Sequence, residues 1–207
     1  MTADANLTPT QGSDVVSFAR KVIELHFKGR RPDEPESLDG ILRENRGVFV
    51  TLDTYPKREL RGCIGFPEPV MPFGKALREA AFSAAFGDPR FPSVRESELG
   101  ALVVEVSALT EPKRLKVARP LDYPREVVVG RDGLIIRRGW SSGLLLPQVA
   151  VEQGWDAEEF LANACMKAGL APDAWLAEGA KIYAFSAQIF SEETPGGSVV
   201  EKKLSTE

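Results

Sequence analysis

A single histidine, His26, and two cysteines, Cys63 and Cys165, are all this chain offers of the side chains that most often do chemistry near neutral pH. Two cysteines cannot build a disulfide framework and no His/Cys spacing resembles a zinc site, so no metal ligand is assigned. No apolar run approaches the ~20 residues that span a bilayer, and the start, MTADANLTPTQGSD, has neither a basic segment nor an apolar signal core. This points to a cytoplasmic protein. A phosphate-binding glycine loop, a dinucleotide fingerprint and a serine elbow are missing too; VVVGRDG reads as a turn, and no cofactor is expected. Asparagine (three) and glutamine (four) are scarce, arginine outnumbers lysine, and prolines punctuate the loops, a lean toward thermostability.

What is present suits a globular protein: 43% hydrophobic and 27% charged residues in 207, enough for one large domain or two small lobes. The net charge of -4 argues against a surface built mainly for nucleic acid. Scattered arginines such as Arg137 and Arg138 beside Trp140 are the only basis for that alternative. Trp140 and Trp155 could line a ligand cleft or anchor a core or a lobe interface; the anchor is the expected reading.

Along the chain, SDVVSFARKVIELHFKG has Val15, Ala19, Val22, Ile23 and His26 at helical spacing, with Ser13 or Asp14 as N-cap and Gly29 as the stop. His26 is expected as a core histidine. RRPDEPES is a loop and LDGILREN a short helix. RGVFVTLDTYPKRELRGCIG reads as two strands turning at Tyr55-Pro56-Lys57, followed by the proline-rich FPEPVMPF and the helix GKALREAAFSAAFGD. ALVVEVSALT is a strand. Beyond the linker EPKRLKVARPLDYP, REVVVGRDGLIIRRG is expected as a hairpin turning at Arg131-Asp132-Gly133, SSGLLLPQVAVEQG as a short strand and a loop, and WDAEEFLANACMKAGL as a helix capped by Asp156 and Glu159. KIYAFSAQIF closes the second region.

The two regions repeat an order of parts at an offset of about 80 residues, with Pro92 and Pro172 at similar joints, an inferred internal duplication of strand-helix-helix-strand halves. Hairpins without regular βαβ alternation indicate an α+β fold with a largely antiparallel sheet and flanking helices, in one body or two lobes. A flexible N-terminus over residues 1–11 and a frayed or loosely docked tail over 193–207 would bound the domain at 12–192, with lobes at about 12–111 and 121–192.

The stretch that asks for chemistry is LRGCIG, residues 60–65. Strand alternation puts Leu60, Gly62 and Ile64 on one face, facing the core, and Arg61, Cys63 and Gly65 on the other. Gly62 and Gly65 either let another backbone pack closely or leave room for a ligand. Cys63 is either a small packed residue or, with Arg61 favouring its thiolate, a reactive one. Cys165, on an apolar helix face, is a core residue. Glu105 and Ser107 share a face of ALVVEVSALT, and if that strand lies near LRGCIG, Arg61 could meet either of them. In DPRFP, Asp88, Arg90 and Phe91 sit on a proline-stiffened loop suited to a binding site or to a turn.

LRGCIG, with GVFVTL before it and SAAFGDPRFPSV, VEVSALTEP and GLLLPQVAVEQGWD after it, resembles the AMMECR family, in its prokaryotic form, over residues 12–192. Some relatives have Glu at the position of Gln148, which can hydrogen-bond here but cannot act as a base. The resemblance brings no settled activity; it implies work with Memo-type and radical SAM proteins in a modification system. The candidate binding residues are therefore Arg61, Gly62, Gly65, Asp88, Arg90, Glu105 and Ser107, with Cys63 the candidate catalytic group. A binding or accessory protein, recognising a protein partner or a small anionic ligand, is the expected reading, because no acid-base pair accompanies the lone histidine. An enzyme using Cys63 as nucleophile on a small anionic or carbonyl substrate is the alternative. Within LRGCIG, Arg61 is expected to matter more than Cys63, its planar fork suiting a carboxylate or phosphate.

Overall fold

The computed structural model describes residues 6–202, which divide into two units, residues 6–111 with 188–202 and residues 112–187. In the first unit, helix α1 (Pro9–His26) starts earlier than Ser13: Pro9 occupies the first turn, the Thr8 side chain accepts from the Gln11 N–H, and the Gln11 side chain returns to the Thr8 backbone. That capping box outcompetes the expected caps because proline needs no N–H donor at a helix start. Residues 9–11 are therefore helical, and residues 1–5 lie outside those described. A short α2 (Asp39–Leu42) leads into the hairpin β1 (Val48–Thr54) and β2 (Leu60–Phe66), which turns through Tyr55 and Pro56 as expected. Helix α3 (Phe73–Phe86), a 3-10 turn at Glu96–Ala101 and β3 (Leu102–Leu109) follow.

The second unit holds β4 (Lys113–Arg114), α4 (Tyr123–Glu126), β5 (Gly133–Arg138), β6 (Ser141–Leu145), α5 (Pro147–Gln153), α6 (Ala157–Lys167) and β7 (Lys181–Phe185). Its hairpin is β5–β6 and turns at Gly139 and Trp140, not at Arg131–Gly133: Arg138 pairs with Ser141, and Gly139 takes φ 58°. Arg131 and Asp132 instead form an ion pair whose aspartate accepts from the Val128 N–H. The expected loop after β6 contains α5, ended by Gly154 at φ 65°. KIYAFSAQIF is not one strand; it divides at Ser186 into β7 and β8 (Ala187–Glu192), which belong to different sheets. The tail returns as β9 (Val199–Lys202), antiparallel to β8, so it is ordered through residue 202.

The sheets run β2-β1-β3-β8-β9 and β4-β7-β5-β6. In both, the first strand of a hairpin lies between its partner and a later strand, all antiparallel: β1 between β2 and β3, β5 between β6 and β7. The two sheets thus share one pairing pattern. An α+β architecture follows, as expected. Each unit has its own core: Val15, Phe18, Val22, Val50, Leu52, Phe73, Leu77, Val104 and Phe190 in the first, and Leu134, Ile136, Phe160, Leu161, Cys165 and Ile182 in the second. Trp155 packs against the second core, whereas Trp140 is 106% exposed and anchors nothing in its own unit.

Candidate functional site

Strand β2 is the edge of its sheet, and the LRGCIG residues divide between its two sides by pairing. Gly62 and Ile64 lie opposite Leu52 and Val50, on the side covered by α1 and α3; Cys63 and Gly65 lie opposite Thr51 and Phe49, on the other. Leu60 breaks the alternation. The register jumps between Leu52↔Gly62 and Asp53↔Leu60, leaving Arg61 as the extra residue of a bulge. A bulge reverses the phase of everything beyond it. Leu60 therefore sits opposite Asp53, 41% exposed, and is not a core residue. Leu60→Ala is accordingly expected to cost less than about 1 kcal/mol, whereas Ile64→Ala, which removes a side chain packed on the core, should cost about 2 kcal/mol. Equal urea midpoints for the two variants would show the phase reversal to be misplaced.

Both glycines serve close packing. A Cβ on Gly62 would stand 2.1 Å from the Ala84 carbonyl oxygen of α3, and one on Gly65 would stand 2.3 Å from the Phe49 ring. Neither leaves an open space for a ligand.

Arg61 turns to the segment after α3. Its Nε and Nη2 donate to the two Glu98 carboxylate oxygens at 2.9 and 3.3 Å, and its Nη1 donates to the Pro92 carbonyl at 2.9 Å. Burial alone would raise the Glu98 carboxyl; hydrogen bonds from Arg61 and from the Arg95 N–H hold it below its ordinary value. Arg61 meets neither Glu105 nor Ser107. Glu105 is paired with Lys202 of β9 and lies opposite Thr51, and Ser107 lies opposite Phe49; both are buried. Pairing across β2, β1 and β3 sets Cys63, Thr51 and Glu105 in one row.

The DPRFP loop completes the β2 edge. The Cys63 N–H donates to Asp88 Oδ2 at 2.9 Å, and the Cys63 carbonyl accepts from Arg90 Nη2 at 3.1 Å. Asp88 also accepts from the Arg90 backbone N–H, Nε and Nη2, at 3.1, 3.0 and 2.7 Å. A salt-bridged pair thus supplies the donor and acceptor that a neighbouring strand would supply, which protects an open edge. Four hydrogen bonds, those from the Arg90 side chain foremost, hold the buried Asp88 carboxyl far below the ordinary carboxylate range, and Asp88 in turn raises Arg90. The stability this confers is fully present above the unfolded value of about 3.9 and is lost as pH falls toward the depressed folded value. The urea midpoint is expected to fall below about pH 4, more gently in Asp88→Asn. An equal fall in both proteins would remove Asp88 as the cause.

Cys63 is half-buried and free, and the Thr51 hydroxyl donates to its Sγ at 3.2 Å. Burial pushes the thiol up, outweighing that hydrogen bond and the nearby Arg90 charge, which favour the thiolate. The cation acting on the thiol is Arg90, not Arg61. His26 is not a core residue: it is exposed at the end of α1, its ring 4.5 Å from Phe86 and 5.1 Å from Phe82. Among the described residues, no His/Cys/Asp/Glu cluster could hold a metal ion and no helix is long and apolar enough to cross a membrane. Gln148 lies in the first turn of α5, its Oε1 buried and without a partner among the described residues.

Sequence reasoning missed Glu98 and Thr51. Thr51 was within reach, since GVFVTL and LRGCIG read as one hairpin. Glu98 had no comparable signal, because its place depends on how the loop after α3 returns.

The AMMECR1 family model matches residues 16–190, which contain all of these residues except Lys202. The chain belongs to the AMMECR1 family. It is 57% identical to the protein MJ0810 of Methanocaldococcus jannaschii, over 96% of this chain and 98% of that one. It is 52% identical to the protein MK0488 of Methanopyrus kandleri, over 97% and 98%. A crystal structure of the uncharacterized protein PH0010 from Pyrococcus horikoshii is similar with a TM-score of 0.85 and 51% identity, covering 93% of this chain and 97% of that one. Such thermophile relatives agree with the compositional lean toward thermostability.

Proposed function

We propose that this AMMECR1-family protein is a binding or accessory component of a multi-protein modification system, and that it presents the β2 edge and the Cys63–Thr51–Glu105 row to a partner protein or a small anionic ligand. The observation that carries this reading is the state of Cys63: its thiol is raised by burial, and its hydrogen-bond partner is a hydroxyl, not a base. A nucleophilic cysteine needs the opposite, a thiolate stabilised by a neighbouring histidine or an unpaired cation.

Within the site, Arg61 is the less available cation. Its side chain is 13% exposed and all three of its guanidinium nitrogens donate, whereas the Arg90 side chain is 54% exposed and its Nη1 is used in none of the contacts that hold Asp88 and Cys63. Arg90 is therefore the better anion donor, and Arg61 positions the segment from which Glu98 comes. The partners implied by the family resemblance are Memo-type and radical SAM proteins. Binding of a Memo-type protein measured by calorimetry is expected to survive Cys63→Ala and to weaken about tenfold in Arg90→Gln. Fast, selective iodoacetamide labelling of Cys63 at neutral pH, with binding lost in a well-folded Cys63→Ala, would favour the thiol-enzyme reading instead.

A further inference from the structure

A second site lies beyond the Cys63 end of the β2 edge, in a cavity of about 840 Å³ between the end of α1, the loop that follows it, α3 and Phe66 at the last position of β2. Its lining carries four cations, Arg30, Arg31, Lys75 and Arg78, against one carboxylate, Glu79, on a chain whose net charge is -4. Lys75 and Arg78 have nearby acids, Glu79 at 3.8 Å and Glu34 at 3.3 Å. Arg30 and Arg31 are exposed and have no ion-pair partner among the described residues. The lining also carries the apolar side chains of Val22, Phe66 and Phe82, with the His26 ring edge-on to Phe82. Phe82 is 43% exposed although it belongs to a helix with a well-formed buried face.

Cations after Gly29 have one local purpose: they complement the carbonyl end of α1, which the Arg30 N–H closes on Leu25. That purpose needs neither two adjacent arginines nor exposed aromatic rings. Unpaired arginines around exposed aromatics are the composition of a recognition surface. We infer that this cleft binds an acidic segment of a partner protein in which carboxylates alternate with apolar side chains, the apolar groups on the apolar lining and the carboxylates on Arg30 and Arg31. Charge complementarity decides between ligand classes. The cleft faces the carbonyl end of α1, which disfavours the concentrated charge of a phosphate and tolerates carboxylates spread along a groove. Several of its lining residues are exposed, whereas a small-molecule site encloses most of its ligand.

The test is fluorescence anisotropy with a fluorescein-labelled peptide in which Glu and Asp alternate with Leu and Phe. Wild-type protein is expected to bind it with an affinity that falls as salt rises. The double variant Arg30→Glu, Arg31→Glu should bind about tenfold more weakly or worse, and Phe82→Ala should also weaken binding. Arg43→Glu, the charge change of one of these two substitutions made at an exposed position outside the cleft, should leave it nearly unchanged. No binding by wild type, equal binding by the Arg30/Arg31 variant, or displacement of the peptide by ADP at lower concentration would each overturn the proposal. These substitutions touch none of the residues at the β2 edge, so this proposal can fail while the reading of that edge stands, and the reverse.

Discussion

Replacing Arg20 by methionine is expected to cost about 3–5 kcal/mol, enough to remove a large part of the stability of a domain this size. Arg20 projects from α1 and is 9% exposed; its Nε and Nη2 bind the two carboxylate oxygens of Glu192, which is 2% exposed. Arg20 Nη2 also donates to the Leu102 carbonyl at 2.6 Å, and Glu192 Oε2 accepts the Val104 N–H at 2.9 Å. The pair therefore closes two backbone groups of β3 as well as two charges. Methionine would fill much of the volume but would strand an ionised Glu192 and one carbonyl in the interior, and uncompensated buried charge is what makes breaking such pairs expensive. The double variant Arg20→Met, Glu192→Leu should recover only part of the loss, because the Val104 N–H and the Leu102 carbonyl stay unpaired. A urea-denaturation difference under about 1 kcal/mol for Arg20→Met would show that water reaches the pair.

The same residue shows what the sequence could and could not reveal. Arg20 stands on the buried stripe of α1 between Val16 and Ile23, and a charge there demands an opposite charge; the signal was present, but nothing in the sequence pointed to Glu192, distant in the chain. Periodicity did place α1, α3 and α6, the first hairpin and the faces of β3, since these depend on neighbours within a few residues. Features decided by distant contacts were not legible. The bulge at Arg61 reversed Leu60 and sent the guanidinium to Glu98 in place of Glu105. The division of KIYAFSAQIF was hidden because both halves are strands and only their partners differ. His26 fell on the apolar stripe of α1, yet its rank at the last turn put it on the rim of a cleft.

Gly62→Ala is expected to destabilise the protein by about 3 kcal/mol, at the upper end of what overpacking costs, although alanine is the smallest possible addition. The reason is what the new methyl would meet. Its position is 2.1 Å from the Ala84 carbonyl oxygen, part of the α3 backbone, so no side chain can rotate away and the helix must lift from β2. Gly143 on β6 has the same relation to α6, with the Ala168 nitrogen at 2.4 Å and the Ala164 carbonyl oxygen at 2.7 Å, and Gly143→Ala should cost a comparable amount in its own unit. Gly12 supplies the contrast. Its added methyl would meet only the Phe190 ring, at 2.2 Å, a side chain that can be made smaller. Gly12→Ala should therefore be partly rescued by Phe190→Leu, while Gly62→Ala should gain nothing from Ala84→Gly, which removes a methyl but leaves the carbonyl in place. Chemical denaturation of the singles and doubles checks this, and rescue of Gly62→Ala by Ala84→Gly would mean that α3 meets β2 through side chains. Because the cost arises between strand and helix backbones, Gly62→Ala should also loosen the packing beneath Cys63 and raise the rate at which iodoacetamide reaches its thiol. A variant that loses partner binding by this route has lost the platform on which Cys63 and Arg90 are held; Arg90→Gln also loosens the Asp88 contact, so its unfolding curve should shift too, and Ala84→Gly should rescue neither variant.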